Sequence, residues 1–99
     1  MMKKAPAPIT PGEILLTEFL EPLGITQYRL AQATGLPQTR ISEIVRGKRA
    51  ISIDTALRLS KALGVDDRFW INIQTDYDIE VERDLHSAAL AKVTTLVTS

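Results

Sequence analysis

Cysteine is absent from this 99-residue sequence, which excludes disulfide bonds and thiolate metal sites and makes a reducing cytoplasm the natural setting. His86 is the only histidine, so a histidine-based zinc site has no second ligand. No apolar run reaches the length of a membrane-spanning helix, and the N-terminus lacks the apolar stretch of a signal peptide. We therefore expect no membrane partner.

Catalytic patterns are missing as well. The sequence shows no nucleophile–base pair, no phosphate-binding glycine loop and no pair of catalytic carboxylates. The acidic run from Asp76 to Asp84 lacks the glycine-bearing loop of an EF-hand and is interpreted as a solvated face. We expect no enzyme activity, no cofactor and no metal.

Charge is divided along the chain although the net charge is zero. Residues 26–49 carry five basic side chains against one acid, a net charge of +4. Residues 66–86 carry seven acids against two arginines, a net charge of −5. This division favours a basic surface for an anionic partner and a separate acidic surface.

Start and stop signals predict five helices. Thr10-Pro11 is typical of a helix start and Glu21-Pro22 of a stop, which bounds the first helix. The other four are predicted, in chain order, from Thr26 to Gly35, from Leu36-Pro37 to Gly47, from Ser52 to Gly64, and after Asp66.

Residues 76–82 permit two interpretations. Their sequence, DYDIEVE, alternates as a strand does, whereas Trp70, Ile73, Tyr77 and Val81 recur at helical spacing. A lone strand would need a partner that the chain does not otherwise offer. We therefore expect the fifth helix to continue through this stretch.

A three-residue connection, Gly35-Leu36-Pro37, joins the second and third predicted helices. Helices joined by so short a turn with a glycine pack at a steep angle, as in a helix-turn-helix unit. Leu30, Ile41 and Ile44 are expected to hold the two helices together. The alternative is a helical hairpin whose polar residues are only solvated.

The outward face of the third helix favours DNA binding. A short helix with an apolar back and a polar face can lie in the major groove. The outward side chains are Gln38, Thr39, Ser42, Glu43 and Arg46. Lys48 and Arg49 follow, where a helix end can hold phosphate. Glu43 is interpreted either as an acceptor from cytosine or as a partner of Arg40 or Arg46.

The stretch TQYRLAQATGLPQTRISEIVRGKRAISIDTALRLSKALG resembles the Xre/Cro-type helix-turn-helix domain of phage repressors. With the flanking PGEILLTEFLEPLGIT and FWINIQTDYD, the chain resembles the HigA antitoxins, also called VapI-type addiction-module antidotes, over about residues 8–80. The resemblance implies an all-α, five-helix, lambda-repressor-like fold. It also implies a homodimer that represses its own operon and neutralises a toxin, usually a small mRNA-cleaving ribonuclease.

The resemblance also implies which residues contact DNA. Bases are read by the first turn of the third helix, which corresponds to Gln38 and Thr39, with Arg40 beside them and Glu43 one turn further. The residue that opens the second helix, Gln27, contacts phosphate. The full predicted phosphate-binding set is Gln27, Ser42, Arg46, Lys48 and Arg49.

The same reasoning predicts domain limits and partners. The limits are a mobile N-terminal arm over 1–9, the helix-turn-helix domain over 10–78, and a C-terminal extension over 79–99 that is helical and then frayed. Trp70, Ile73 and Tyr77 exceed what a small core needs and are expected to form a two-fold dimer interface. Such a dimer requires double-stranded operator DNA with an inverted repeat.

The toxin is expected to be basic because it holds RNA. Its predicted contact is the acidic stretch over 66–84, with the arm over 1–9 as the competing site. A phage- or plasmid-type repressor without a toxin partner is the main alternative function. A purely protein-binding helical adaptor is the other.

Overall fold

Every element of regular secondary structure in residues 7–97, which the computed structural model describes, is a helix. The helices are α1 (residues 11–23), α2 (Gln27–Thr34), α3 (Gln38–Val45), α4 (Ile53–Leu63), α5 (Asp67–Leu85) and α6 (Ser87–Ala91). The predicted all-α fold is confirmed. Residues 76–82 lie inside α5, so the choice of helix over strand is confirmed too. Most of the predicted arm over 1–9 lies outside the described residues.

Side-chain caps begin four of the helices as predicted. Thr10, Thr26, Ser52 and Asp66 each accept a hydrogen bond from a backbone N–H two or three residues further on. These bonds satisfy donors that the first helical turn leaves without a partner. The third helix, predicted to open at Leu36-Pro37, has Pro37 at its cap position and begins at Gln38.

The first helix continues past its predicted end. The Leu15–Leu20 stretch is a π-helical turn, and the N–H of Glu21 donates to the carbonyl of Leu16. The predicted stop at Glu21-Pro22 is wrong, because the helix reaches Leu23. A proline ring normally crowds the carbonyl four residues back, and the wider π turn directly before Pro22 relieves that contact.

The hydrophobic core lies where the first five helices meet. Its largest fully buried side chains are Trp70, Leu15, Leu30, Ile41, Ile44 and Leu59. The longest helix, α5, packs mainly against α4, while α1 packs against both α3 and α5. As a result, α1 connects the helix that carries the predicted DNA contacts to the rest of the core.

Trp70 belongs to this core and not to a contact surface. Its side chain is 0% exposed, and its ring centroid lies 5.2 Å from those of both Phe19 and Phe69. The prediction that Trp70 lies at a dimer interface is corrected by this burial, because none of the side chain reaches the surface. Ile73 and Tyr77, further along α5, are half-buried and remain available for contact.

The predicted C-terminal extension continues α5 without a break, since the boundary after residue 78 falls inside this helix. From Ile79 onwards most side chains are exposed, and α6 packs mainly on α5. Several of the exposed side chains are apolar: Leu85, Leu90, Val93, Leu96 and Val97. No helix in the described part of the chain is long and apolar enough to cross a membrane.

Candidate nucleic-acid interface

The turn between α2 and α3 has the predicted helix-turn-helix geometry. Gly35 ends α2 with φ of 73°, which glycine adopts without steric penalty, and its N–H donates to the carbonyl of Ala31 at 2.9 Å. Leu30 on α2 and Ile41 and Ile44 on α3 are buried between the two helices and the core, as predicted. The short connection therefore holds α3 at a defined angle.

A side chain from α4 supports this turn, and the sequence did not predict it. Arg58 Nη1 donates to the carbonyl of Thr34 at 2.8 Å, while its Nε pairs with Asp54 at 3.1 Å. A Cβ at Gly35 would lie 3.2 Å from the same Nη1. Asp54 and Arg58 are four residues apart on α4, so the sequence alone identifies them as a possible ion pair on one helix face. The bond to Thr34 spans 24 residues and could not be found without the tertiary structure.

The outer face of α3 carries the predicted base-reading side chains. Gln38 and Thr39 are exposed in its first turn, and Arg40 beside them is half-buried. Glu43, one turn further along, is also half-buried. Amide and hydroxyl groups at the start of such a helix can form hydrogen bonds with base edges in the major groove.

Glu43 forms an ion pair with Arg49, which is neither of the two arginines predicted as its partner. Its Oε1 lies 3.0 Å from Nε of Arg49, and both side chains are partly exposed. The expected partners were Arg40 or Arg46. An ion pair this exposed contributes little to stability. Its importance is that it joins a predicted base contact to a predicted phosphate contact.

The chain leaves α3 through a basic loop, defined here as residues 46–50. Gly47 has φ of 72°, and its N–H donates to the carbonyl of Ile44 at 3.0 Å. The N–H of Lys48 donates to the carbonyl of Glu43 at 2.8 Å. These two bonds form a Schellman motif, which gives the start of the loop a defined backbone course. Its three cationic side chains are all exposed.

The remaining predicted phosphate contacts lie beside this loop or at the start of α2. Arg46 Nε donates to the carbonyl of Ser42 at 3.4 Å, so this arginine follows the surface of α3. The side chain of Ser42 is half-buried. Gln27 is the first residue of α2 and is half-buried. The backbone N–H groups at such a helix start favour a neighbouring anion.

Gly12 lets α1 touch the end of α3, a role that was not predicted from the sequence. An added Cβ at Gly12 would lie 1.7 Å from the carbonyl oxygen of Ile44 and 3.0 Å from Cα of Val45. No larger residue fits without moving one helix. The sequence shows Gly12 only as part of a helix start, and the distance to Ile44 is what reveals its function.

The predicted DNA-contacting cations and most of the acids of residues 66–86 lie on different elements. The basic set lies on α2, α3 and the basic loop, whereas most acids of residues 66–86 lie on α5. Residues 26–49 therefore keep a net charge of +4 in a protein whose total net charge is zero. Within residues 7–97, no group of three or more histidine and acidic side chains is placed to hold a metal ion.

Known proteins are similar to this chain in both sequence and fold. Residues 16–70 match the HTH_3 helix-turn-helix family. Virulence-associated protein I of Dichelobacter nodosus is 48% identical over 80 residues, which are 80% of this chain and 74% of that protein. Antitoxin HigA-1 of Vibrio cholerae is 39% identical over 79 residues, with the same two coverages of 80% and 74%.

A solved structure extends the similarity to almost the whole chain. Pseudomonas aeruginosa antitoxin HigA with the higBA promoter has a TM-score of 0.84 to this structure at 33% sequence identity. The match covers 91% of this chain and 99% of that one. The helix-turn-helix pair and the long helix that follows it are therefore parts of one shared fold.

Proposed function

This chain belongs to the HTH_3 helix-turn-helix family and, within it, to the HigA antitoxins, and we propose that it represses its own operon and neutralises a toxin. The observation that carries the DNA-binding part is the exposed polar first turn of α3 beside the basic loop. The relative from Pseudomonas aeruginosa, an antitoxin with its promoter DNA, supports this assignment. The proposal includes a cytoplasmic location, where a bacterial-type operator would lie.

Sequence reading is assigned to the start of α3. The amide of Gln38 matches the donor and acceptor pattern of adenine in the major groove, and Thr39 can bond to several base edges. Arg40 lies beside them and is suited to guanine. Glu43 can accept from cytosine only when its carboxylate is released from Arg49 or shared with it.

Phosphate binding is assigned to the basic loop and two flanking positions. Arg46, Lys48 and Arg49 place three cations at the end of α3. Ser42 and Gln27 add polar groups along α3 and at the start of α2. Contacts of this kind position the protein on the duplex and carry no sequence information themselves.

A two-fold dimer through α5 is the assembly that we propose. Ile73 and Tyr77 are half-buried apolar side chains on the face of α5 next to residues 7–9 and α1. Two-fold symmetry would place two copies of α3 about 34 Å apart, one turn of DNA. The operator should then be an inverted repeat with that spacing.

The toxin that we propose as the second partner is a small basic ribonuclease that cleaves mRNA. The acidic side chains of α5 support a basic partner. They lie on a different helix from the cations proposed to bind DNA. Residues 7–9 line one groove with Asp76, Tyr77 and Glu80. The two toxin sites considered from the sequence, the arm and the acidic stretch, thus adjoin each other.

The test of DNA binding compares two duplexes in one titration. One duplex carries the DNA directly upstream of the operon, and the other has a random sequence. Gln38→Ala should lose roughly 1–3 kcal/mol of binding free energy on the upstream DNA and almost none on the random duplex. Lys48→Ala should weaken both duplexes about equally, because its contact is to phosphate.

Two outcomes would contradict the proposal. A wild-type protein that shows no salt-dependent binding to either duplex would exclude DNA binding, since phosphate contacts release counterions. Equal losses on both duplexes for Gln38→Ala would mean that Gln38 only positions α3. In that case the base-reading assignment would be withdrawn and the phosphate assignment kept.

A further inference from the structure

A buried side-chain amide ties the end of the basic loop to α5. Ile51, the residue directly after the loop, donates its N–H to Oε1 of Gln74 at 2.8 Å, across 23 residues of sequence. Gln74 is 9% exposed and Ile51 is 5% exposed. Because water has little access, removing the acceptor would leave a buried N–H without a partner, which is unfavourable.

Asp78 determines which end of the Gln74 amide faces the loop. Nε2 of Gln74 donates to Oδ1 of Asp78 at 2.9 Å. An ionised carboxylate only accepts hydrogen bonds, so the NH₂ group must face Asp78 and the amide oxygen must face Ile51. Asp78, Gln74 and Ile51 therefore form a continuous connection, which we call the Gln74 strut.

The strut supports a part of the loop that packing leaves unsupported. A pocket of about 170 Å³ lies between the loop and α5, lined by Lys48, Arg49 and Gln74 among others. The loop is anchored at Gly47 by the Schellman motif and at Ile51 by the strut. Lys48 is the last residue of the motif, and Arg49 and Ala50 lie between it and the strut.

We propose that Gln74 is a positioning residue for phosphate binding, which holds Lys48 and Arg49 in their binding arrangement without touching DNA. The inference rests on the DNA-binding function proposed above. A loop ordered in advance loses less conformational entropy when it binds. Since the loop contacts phosphate, loss of the strut should weaken binding to specific and random DNA alike.

The experiment uses the full-length chain with Gln74→Met, which keeps a similar volume, leaves the charge unchanged and removes both hydrogen bonds. Asn72→Met is the matched control, because Asn72 is an exposed amide on the same helix. Dissociation constants for the upstream and random duplexes are measured over a salt series, well below the melting temperatures. We expect Gln74→Met to bind both about tenfold more weakly, with a salt slope smaller by about one. Asn72→Met should bind as the wild type does.

Two further measurements separate positioning from stability. In the DNA-free Gln74→Met protein, the Ile51 amide should exchange faster and the backbone resonances of Lys48 and Arg49 should move. The double variant Gln74→Glu/Asp78→Asn keeps the net charge and provides both bonds. The new carboxylate at position 74 still accepts from the Ile51 N–H, and only the bond between positions 74 and 78 has its donor and acceptor exchanged. The double variant should recover wild-type binding, and it tests the proposal even if Gln74→Met does not fold.

The result that would overturn the proposal is a Gln74→Met protein that melts at a lower temperature but keeps the wild-type affinity and salt slope. A folded double variant that binds about tenfold more weakly than the wild type would overturn it as well. Failure of the wild type to bind either duplex would instead refute the proposed DNA-binding function. The two failures are therefore distinguishable.

Discussion

Replacing Gly12 by alanine should push α1 away from α3. The added Cβ would lie 1.7 Å from the carbonyl oxygen of Ile44, and Cβ atoms in proteins essentially never approach other atoms more closely than 3.0 Å. Relief therefore needs a displacement of about 1.3 Å, the difference between these two distances. The obstructing atoms belong to the backbone of α3, so no side-chain rotation can provide it.

The expected destabilisation is the balance of two opposite effects. Forcing extra volume into a packed contact costs about 1–3 kcal/mol, and backbone on both sides puts this case at the upper end. In the opposite direction, alanine within a helix raises the free energy of unfolding by about 0.5–1 kcal/mol relative to glycine. The net loss should be about 2 kcal/mol, which lowers the melting temperature of a domain of this size by about 10 °C.

Gly64→Ala is the matched control for this substitution. Gly64 has φ of 70° at the end of α4, and a Cβ there would have nothing within 4 Å. Alanine in this left-handed conformation costs roughly 1–2 kcal/mol but moves no helix. Both variants should therefore be less stable, and only Gly12→Ala should also alter the position of α3.

The assay combines urea unfolding, followed by circular dichroism, with DNA titration of the folded proteins. Gly12→Ala should weaken binding to upstream DNA, whereas Gly64→Ala should bind as the wild type does. A Gly12→Ala protein with the stability of the wild type would contradict the expected clash with Ile44. The expected effect on α3 is refuted if Gly64→Ala lowers DNA affinity as much as Gly12→Ala.

Two further predictions concern α5. Trp70→Ala should lower the free energy of unfolding by about 3–5 kcal/mol, because the Trp70 ring is fully buried. Tyr77→Ala should leave the monomer folded but weaken the dimer, which sedimentation at micromolar concentration would measure. A folded Trp70→Ala protein that dissociates would contradict the core assignment. For the toxin, Asp76→Asn/Glu80→Gln should weaken neutralisation and co-purification, with Glu18→Gln/Glu21→Gln on α1 as the exposed control that removes the same two charges. If the amide variant neutralises the toxin normally and a chain lacking residues 1–9 does not, the arm is the antidote.

Local signals in the sequence predicted most helix boundaries. Thr26, Ser52 and Asp66 act through hydrogen bonds to backbone groups two or three residues away, so their function is contained in the neighbouring sequence. Pro22 shows where such a signal fails. Proline is a reliable stop only in a regular α-helix, and the π turn before it could not be expected from the residue types.

The outer face of α3 was also predictable because helical periodicity separates its two sides. Ile41 and Ile44 mark the buried side, which leaves Gln38 and Thr39 facing outward. Periodicity says nothing about which structure covers an apolar stripe. Trp70 shares its stripe with Tyr77, yet one is buried by Phe19 and Phe69 while the other is partly exposed.

Contacts between distant segments were decided by the tertiary structure alone. Glu43 meets Arg49 because the chain turns back at Gly47, while the two arginines that helical spacing favours do not pair with it in the described structure. Gly12 touches Ile44 where α1 packs against α3, and Gln74 on α5 holds Ile51 directly after the basic loop. The helices, the turn and the polar face of α3 follow from local sequence, since each depends on interactions within about four residues. The placement of α3 and its basic loop depends on contacts between residues 23 to 32 positions apart, from Ile51–Gln74 to Gly12–Ile44, which no local pattern of residue types encodes.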